Sequence, residues 1–176
     1  FYVALGDRWT RQDAPGLDLT LSYWNDTDPL NRWLFSADPD GTFTQIDRNT
    51  LKPTGVGHES VYGDAYSPDG RLHATTTFRR TLVVYDAATN EVVSPEIDLS
   101  AWAGETGIDG GAVMFDPVRD LLLVSYTSGR AVVFDTGDWS VARVIEPVED
   151  DGGGVVVGGY SRDGSILVTR GVGGTI

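Results

Sequence analysis

The residues of this chain that could perform chemistry are few, and most of them stand where turns are expected. His58 and His73 are the two imidazoles, and the chain has no cysteine. Thiol catalysis and cysteine-ligated zinc are therefore excluded, and two imidazoles are a small set for any other transition metal. His73 lies in a segment with strand character and His58 in a glycine-rich loop. We interpret both as structural.

Other catalytic signatures are also missing from the sequence. It contains no nucleophile elbow, no Walker loop and no zinc-binding HExxH pair. The glycine-rich stretches 152–154 and 171–174 lack the lysine and the strand-to-helix setting of a phosphate loop, so they are predicted to be turns. We therefore predict no catalytic residue, no metal site and no cofactor.

Acidic residues leave two alternatives open. One loop crowds four carboxylates, Glu146, Glu149, Asp150 and Asp151. Oxygen ligands in such a loop could hold Ca²⁺, but the spacing fits no dedicated calcium loop, and a solvated linker is favoured. Paired carboxylates for glycoside hydrolysis stay open as well, because their separation is not visible in a sequence.

A repeated pattern organises the elements that must position these residues. The clearest unit, residues 57–97, predicts four strands separated by turns. The strands are expected at 63–66, 72–78, 81–85 and 91–97, with turns at 67–70, 79–80 and 86–90. Related stretches precede and follow this unit.

The third strands of two units indicate how the sheets pack. Residues 82–85 and 131–134 are apolar throughout instead of alternating, which predicts sheets covered on both faces. Four-stranded sheets packed face to face around an axis form a β-propeller. The predicted fold is therefore all-β, a β-propeller segment of four-stranded antiparallel blades. We place a remnant of a preceding blade or linker at 1–16, blades at 17–56, 57–99 and 100–147, and an incomplete blade at 148–176.

Aspartates end the third strand of three units, at Asp47, Asp86 and Asp135. A carboxylate at this point can accept backbone N–H bonds in the following turn, so the predicted role is structural. Replacing Asp86 or Asp135 by Ala is expected to cost about 1–3 kcal/mol of stability. Asp116 precedes Pro117 in a turn that we expect to be more exposed, so Asp116→Ala is expected to cost less.

These residues together resemble the WD-repeat family. The resemblance rests on Gly57-His58, on Tyr66-Ser67-Pro68-Asp69-Gly70, and on Tyr85-Asp86 in the place of the Trp-Asp dipeptide. Residues 81–93 also look like the YVTN-type bacterial propeller repeat. No unit has Trp-Asp itself, and only one has Gly-His, so the family's hydrogen-bonded network is incomplete.

The resemblance implies a ring, commonly of seven blades, of which this chain supplies about three and a half. The chain also begins at Phe1 and not at Met. We therefore expect it to be a piece of a longer protein, and expect the isolated arc to self-associate.

The composition of the chain limits the kinds of partner that it can bind. Thirteen basic residues against 26 acidic ones give a formal charge of −13, which disfavours nucleic acid and anionic membranes, and no apolar run approaches a membrane span. The connection at residues 100–110 is longer than its counterpart in the preceding unit. In a propeller it shares one face with the turns between second and third strands. A protein-binding rim formed by four residues, Arg79, Arg80, Trp102 and Arg130, is therefore one hypothesis. The alternative, which we favour from the sequence, is that Trp102 simply packs on the blade edge.

Two hypotheses for function follow. The first is a non-enzymatic interaction scaffold or sensor domain of a larger bacterial signalling or regulatory protein, located in the cytoplasm. The second is part of a propeller enzyme of the lactonase or hydrolase type, with a metal or acidic site in the central channel.

Overall fold

The fold consists of β-strands and their connections. A computed structural model describes residues 2–5, 8–11, 28–37, 43–58, 61–103, 111–126, 130–146 and 155–171. No helix occurs in these ranges, so none of the described residues forms a helix able to cross a membrane.

The described strands form five antiparallel sheets in which strands follow chain order. Sheet I contains β1 (Tyr2–Leu5) and β2 (Arg8–Arg11). Sheet II contains β3 (Trp33–Ala37), β4 (Phe43–Asp47) and β5 (Lys52–His58). Sheet III contains β6 (Val61–Tyr66), β7 (Leu72–Thr77), β8 (Thr81–Asp86) and β9 (Ile97–Asp98). Sheet IV contains β10 (Gly111–Phe115), β11 (Leu121–Tyr126), β12 (Ala131–Asp135) and β13 (Val141–Ile145), and sheet V contains β14 (Val155–Tyr160) and β15 (Leu167–Gly171).

The sheets are arranged as propeller blades are. The first strand of sheet III, β6, lies against the first strand of sheet IV, β10, and β10 in turn contacts β14. First strands that neighbour one another are the inner strands of successive blades. The predicted fold class, all-β with four-stranded antiparallel blades, is confirmed.

The main apolar core joins sheets III and IV, a contact that we call the apolar junction. It contains twelve buried residues, Ala65, Ala74, Leu82, Val84, Leu99, Val113, Phe115, Leu122, Val124, Tyr126, Val132 and Phe134. Strand β12 is buried on both faces, as its apolar run predicts. Strand β8 buries Leu82 and Val84 on one face, whereas Tyr85, on the other, lies against His58 of sheet II.

The contact between sheets II and III, which we call the polar junction, is built differently. A small apolar cluster joins Trp33 and Phe43 to Tyr66 and Ala87. The Trp33 indole Nε1 also donates to the carbonyl of Ala87 at 2.9 Å. Gln45 and Asn90 exchange side-chain amide hydrogen bonds of 3.1 and 3.2 Å. Hydrogen bonds therefore supply much of the contact that apolar side chains supply at the next junction.

Two predicted details are wrong. The fourth strand expected at 91–97 is reduced to β9 and a single bridge between Tyr85 and Val92. Pro95 has no N–H to donate to a ladder, which interrupts the strand. The Ser94 hydroxyl oxygen accepts the Val84 N–H at 2.9 Å and so occupies a ladder position.

The second wrong detail concerns His58, which lies in β5 and not in a loop. Gly57 and His58 pair with Thr44 and Phe43 of β4. The glycine and the preceding residues do not form a loop because β4 supplies an antiparallel partner across a bulge. His58 is thereby held in sheet II, facing sheet III.

Ser94 provides a test of the outer edge of sheet III, where its hydroxyl replaces a ladder hydrogen bond. Ser94→Ala leaves the buried Val84 N–H without its acceptor, and we expect a loss of about 1–3 kcal/mol in the free energy of unfolding, measured in urea. The control is Val93→Ala at an exposed neighbour, for which we expect less than about 1 kcal/mol. Equal losses from the two variants would contradict the role of the hydroxyl.

Candidate functional site

The turn between β7 and β8 carries the first two predicted rim residues. The Thr77 hydroxyl lies 2.7 Å from that of Thr81, and the Thr77 oxygens accept the N–H groups of Arg79 and Arg80. Arg80 has a φ of 60°, the left-handed conformation that closes the turn. The turn therefore holds Arg79 and Phe78 at its tip, where the Phe78 side chain is 51% exposed.

Backbone hydrogen bonds connect this turn to the other two predicted rim residues. The Leu99 N–H donates to the Arg80 carbonyl at 2.8 Å, and the Trp102 N–H donates to the Leu99 carbonyl at 3.0 Å. The Arg130 N–H then donates to the Trp102 carbonyl at 2.9 Å. The structure thus brings Arg79, Arg80, Trp102 and Arg130 to one edge shared by sheets III and IV, which we call the rim.

The rim side chains differ in how far they are engaged by contacts within the chain. The Trp102 ring is half-buried and packs edge-on against Phe134, with centroids 5.8 Å apart at 88°. The Arg130 Nε donates to Glu146 Oε2 at 2.6 Å on the surface. Residues 104–110 and 127–129, which belong to the adjoining connections, lie outside the described ranges.

The three strand-ending aspartates occupy equivalent turns. Asp47, Asp86 and Asp135 each accept the N–H two residues later on Oδ1, at 2.8–2.9 Å. Each aspartate carbonyl also accepts the N–H four residues later at 2.8 Å, where Leu51, Asn90 and Trp139 have positive φ. Hydrogen bonds from Thr89 and Ala88 lower the pKa of Asp86. Each of the three carboxylates therefore accepts a backbone N–H within the turn that follows its strand.

A second set of carboxylates, not singled out by the repeat, connects one sheet to the next. Asp28 is 2% exposed and accepts the N–H of Leu30 and both the N–H and the guanidinium of Arg32. Arg32 Nη2 continues across the polar junction to the carbonyl of Gly70 at 2.6 Å. Burial raises the pKa of Asp28, but the hydrogen bonds from Arg32 outweigh burial and leave the pKa below its ordinary value.

Sheet IV repeats the arrangement. Asp116 is 2% exposed and accepts the N–H groups of Val118 and Arg119, both at 2.9 Å, and Arg119 Nε at 2.8 Å. Arg119 Nη2 donates to the carbonyl of Gly164, in the turn between β14 and β15 of sheet V, at 2.7 Å. We call each Asp–Arg pair with its glycine carbonyl a latch. The expected exposure of Asp116 is wrong, because these donors draw its carboxylate inward.

The apolar junction has no such latch among its described residues. Ser67 stands where Asp28 stands in the preceding unit, and Arg71 stands where Arg32 does. Without a buried carboxylate to orient it, Arg71 pairs with Asp69 at 3.1 Å, and its side chain is 77% exposed. A cleft of about 190 Å³ lies between this turn and residues 115–120.

The two histidines meet at the polar junction. His73 lies in β7, stacks on Tyr66 with centroids 4.3 Å apart, and has Nε2 3.2 Å from Asp64 Oδ2. The His58 ring lies 5.4 Å from that of His73. Sequence spacing could not reveal this cluster, because His58 reaches it from another sheet.

Metal ligands are not gathered in the part of the chain described here. Within it, no group of three or more histidine, aspartate or glutamate residues could hold a metal ion. Of the acidic loop, Glu146 pairs with Arg130, and Glu149, Asp150 and Asp151 lie outside the described residues.

Comparison with known proteins provides further evidence on the fold. No protein-family model and no curated protein matches the chain. Among solved structures, the chain is similar to the dihydro-heme d1 dehydrogenase NirN in complex with DHE, with 22% identity and a TM-score of 0.52. The similarity covers 80% of this chain and 30% of NirN, so the chain spans about a third of that structure's length. Together with the arrangement of its sheets, this likeness defines a β-propeller kind of fold.

Arg32 offers a direct test of the latches. Arg32→Lys keeps a positive charge but cannot bind Asp28 and the Gly70 carbonyl together, so we expect a loss of about 1–2 kcal/mol in unfolding free energy. Arg71→Lys, at the corresponding position without a latch, should change stability by less than about 0.5 kcal/mol. Similar effects of both substitutions in urea denaturation would contradict the latch.

The aspartates give a second comparison within sheet IV. Asp116→Ala removes the acceptor of several half-buried donors, and we expect a loss of about 2–3 kcal/mol. Asp135→Ala removes one exposed hydrogen bond and should cost about 1 kcal/mol, the lower end of the range expected from the sequence, so the order expected there for Asp116 and Asp135 is reversed. Thermal and urea unfolding would show which of the two variants loses more stability. A larger loss for Asp135→Ala than for Asp116→Ala would contradict the prediction.

Proposed function

We propose that this chain is a non-enzymatic, WD-repeat-like interaction module that binds a protein partner through the rim. In this proposal it serves as a scaffold or sensor domain of a larger bacterial signalling or regulatory protein in the cytoplasm. The module requires no cofactor, and its partner is neither nucleic acid nor membrane.

The observation that carries the proposal is the hydrogen-bonded β7–β8 turn, which exposes Phe78 and Arg79 at its tip. Hydrogen bonds donated by the N–H groups of Arg79 and Arg80 to Thr77 fix the turn. The bond from the Leu99 N–H to the Arg80 carbonyl anchors it to the next connection. Phe78 and Arg79 are exposed in a turn whose backbone is held by these hydrogen bonds. Binding through them therefore has a small ordering cost, which favours a docking surface.

The composition of the rim favours a protein as the partner. Aromatic and arginine side chains are enriched among residues that dominate protein–protein binding energy. The rim and the adjoining Phe78 place an exposed aromatic ring and three arginines, of which Arg130 pairs with Glu146, on a chain whose formal charge is −13. Its arginines therefore stand out from an otherwise acidic protein.

The alternative function is part of a propeller enzyme of the lactonase or hydrolase type with a metal or acidic site in the central channel. The structural similarity to NirN, a dehydrogenase, is the observation in its favour. Against it, His58 and His73 are 3% and 2% exposed, and their rings lie against one another. Stoichiometric metal bound to the purified protein would favour this alternative.

The rim is tested by a paired substitution. Phe78→Ser combined with Arg79→Glu should reduce capture of specific partners from a lysate of the source organism by at least about 10-fold. The first substitution removes the exposed aromatic ring, and the second reverses the charge beside it. Arg71→Glu, an exposed arginine in another turn, is the control and should leave capture unchanged. The melting temperature of both variants should match that of the parent.

Two outcomes would contradict the proposal. One is equal capture by the rim variant and the parent. The other is an equal loss with the rim variant and the Arg71→Glu control, which would indicate non-specific charge effects.

A further inference from the structure

The two junctions on either side of sheet III are held by different forces. The apolar junction is packed by aliphatic and aromatic side chains. The polar junction contains the Asp28–Arg32 latch, the Trp33 and Gln45 hydrogen bonds, and a buried histidine pair. A change in protonation can therefore act on the second junction without acting directly on the first.

His58 is the group placed to sense such a change. It projects from sheet II onto sheet III, with its ring 4.6 Å from that of Tyr85 in β8 and 5.4 Å from that of His73 in β7. Through His73 it approaches Asp64 and Tyr66 of β6. Its register partner in β4 is Phe43, which carries no charge.

These surroundings disfavour a charged His58. Burial lowers the pKa of His58, and the neighbouring His73 lowers it further, to about 4. The ordinary pKa of histidine is about 6.5. An opened junction would return His58 to water, so the open form binds the proton more tightly than the closed form, and the junction loses stability as pH falls from about 6.5 to about 4.

We propose that the polar junction is an acid-sensitive seam, at which protonation of His58 separates sheet II from sheet III while the apolar junction stays packed. The device rests on the placement of one imidazole between two sheets whose described residues share one small apolar cluster. It is independent of the rim and of the partner proposed above.

The carboxylates of the seam respond in a different pH range. The pKa of Asp28 is lowered in the folded state, so its stabilising contribution is full above its ordinary pKa of 3.8 and is lost only below it. A change between pH 7.5 and pH 5 therefore reports His58 and not the latch.

Hydrogen exchange measured at pH 7.5 and pH 5.0 tests the seam. After division by the intrinsic exchange rate at each pH, the opening of amides in β4, β5 and β7 should increase by about 30-fold at pH 5.0 if opening restores the ordinary pKa of His58. Amides of β11 and β12, at the apolar junction, should change by less than about 3-fold. In His58→Phe, which keeps a ring but cannot be protonated, the increase in β4, β5 and β7 should disappear.

The proposal would be overturned if amide exchange in His58→Phe depended on pH as it does in the parent protein. An equal increase in exchange in β11 and β12 of the parent protein would also overturn it. Should His58→Phe fail to fold, an NMR titration of the parent protein decides the question. The His58 ring, assigned through its contact with Tyr85, should titrate below pH 5, together with a change at the Trp33 indole N–H, which crosses the same junction. Titration of His58 near pH 6.5, or no coupled change at Trp33, would also overturn it.

Discussion

The satisfaction of two buried carboxylates is the constraint on which two of the described contacts depend, that of sheet II with sheet III and that of sheet IV with sheet V. Asp28 and Asp116 are each withdrawn from water, so each must be surrounded by donors to remain ionised. Backbone N–H groups supply part of that requirement, and an arginine from the same turn supplies the rest. The arginine is thereby oriented, and its remaining donor reaches a glycine carbonyl before the second strand of the next sheet.

Glycine is favoured at the receiving end of each latch. Gly70 and Gly164 have φ values of 70° and 67°, which residues with a side chain rarely adopt. A Cβ at Gly164 would also lie 2.9 Å from Asp116 Oδ1. The Ser-x-Asp-Gly turn of one unit and the Asp–Arg pair of the preceding unit are therefore parts of one device. Latched and unlatched junctions alternate along the described sheets II to V.

The sequence was sufficient for the fold class and insufficient for the contacts between sheets. Apolar third strands and regularly spaced turns predict antiparallel blades because they reflect local periodicity, and β12 buries both faces accordingly. The length of the fourth strand was overestimated. The Ser94 hydroxyl takes the place of a backbone acceptor, and Pro95 has no N–H to donate. A pattern of apolar residues shows neither effect. The exposure of Asp116 was misjudged because its burial depends on Arg119 reaching Gly164, 45 residues away. The meeting of His58 with His73 depends in the same way on how two sheets pack.

A double-mutant cycle on the first latch is the most direct test of this account. Asp28→Asn, Arg32→Met and the double variant would be compared with the parent protein by urea unfolding. If the buried carboxylate orients the arginine across the junction, the two substitutions should be coupled by about 1–3 kcal/mol. A coupling energy below about 0.3 kcal/mol would show that the two side chains act independently, and would contradict the account.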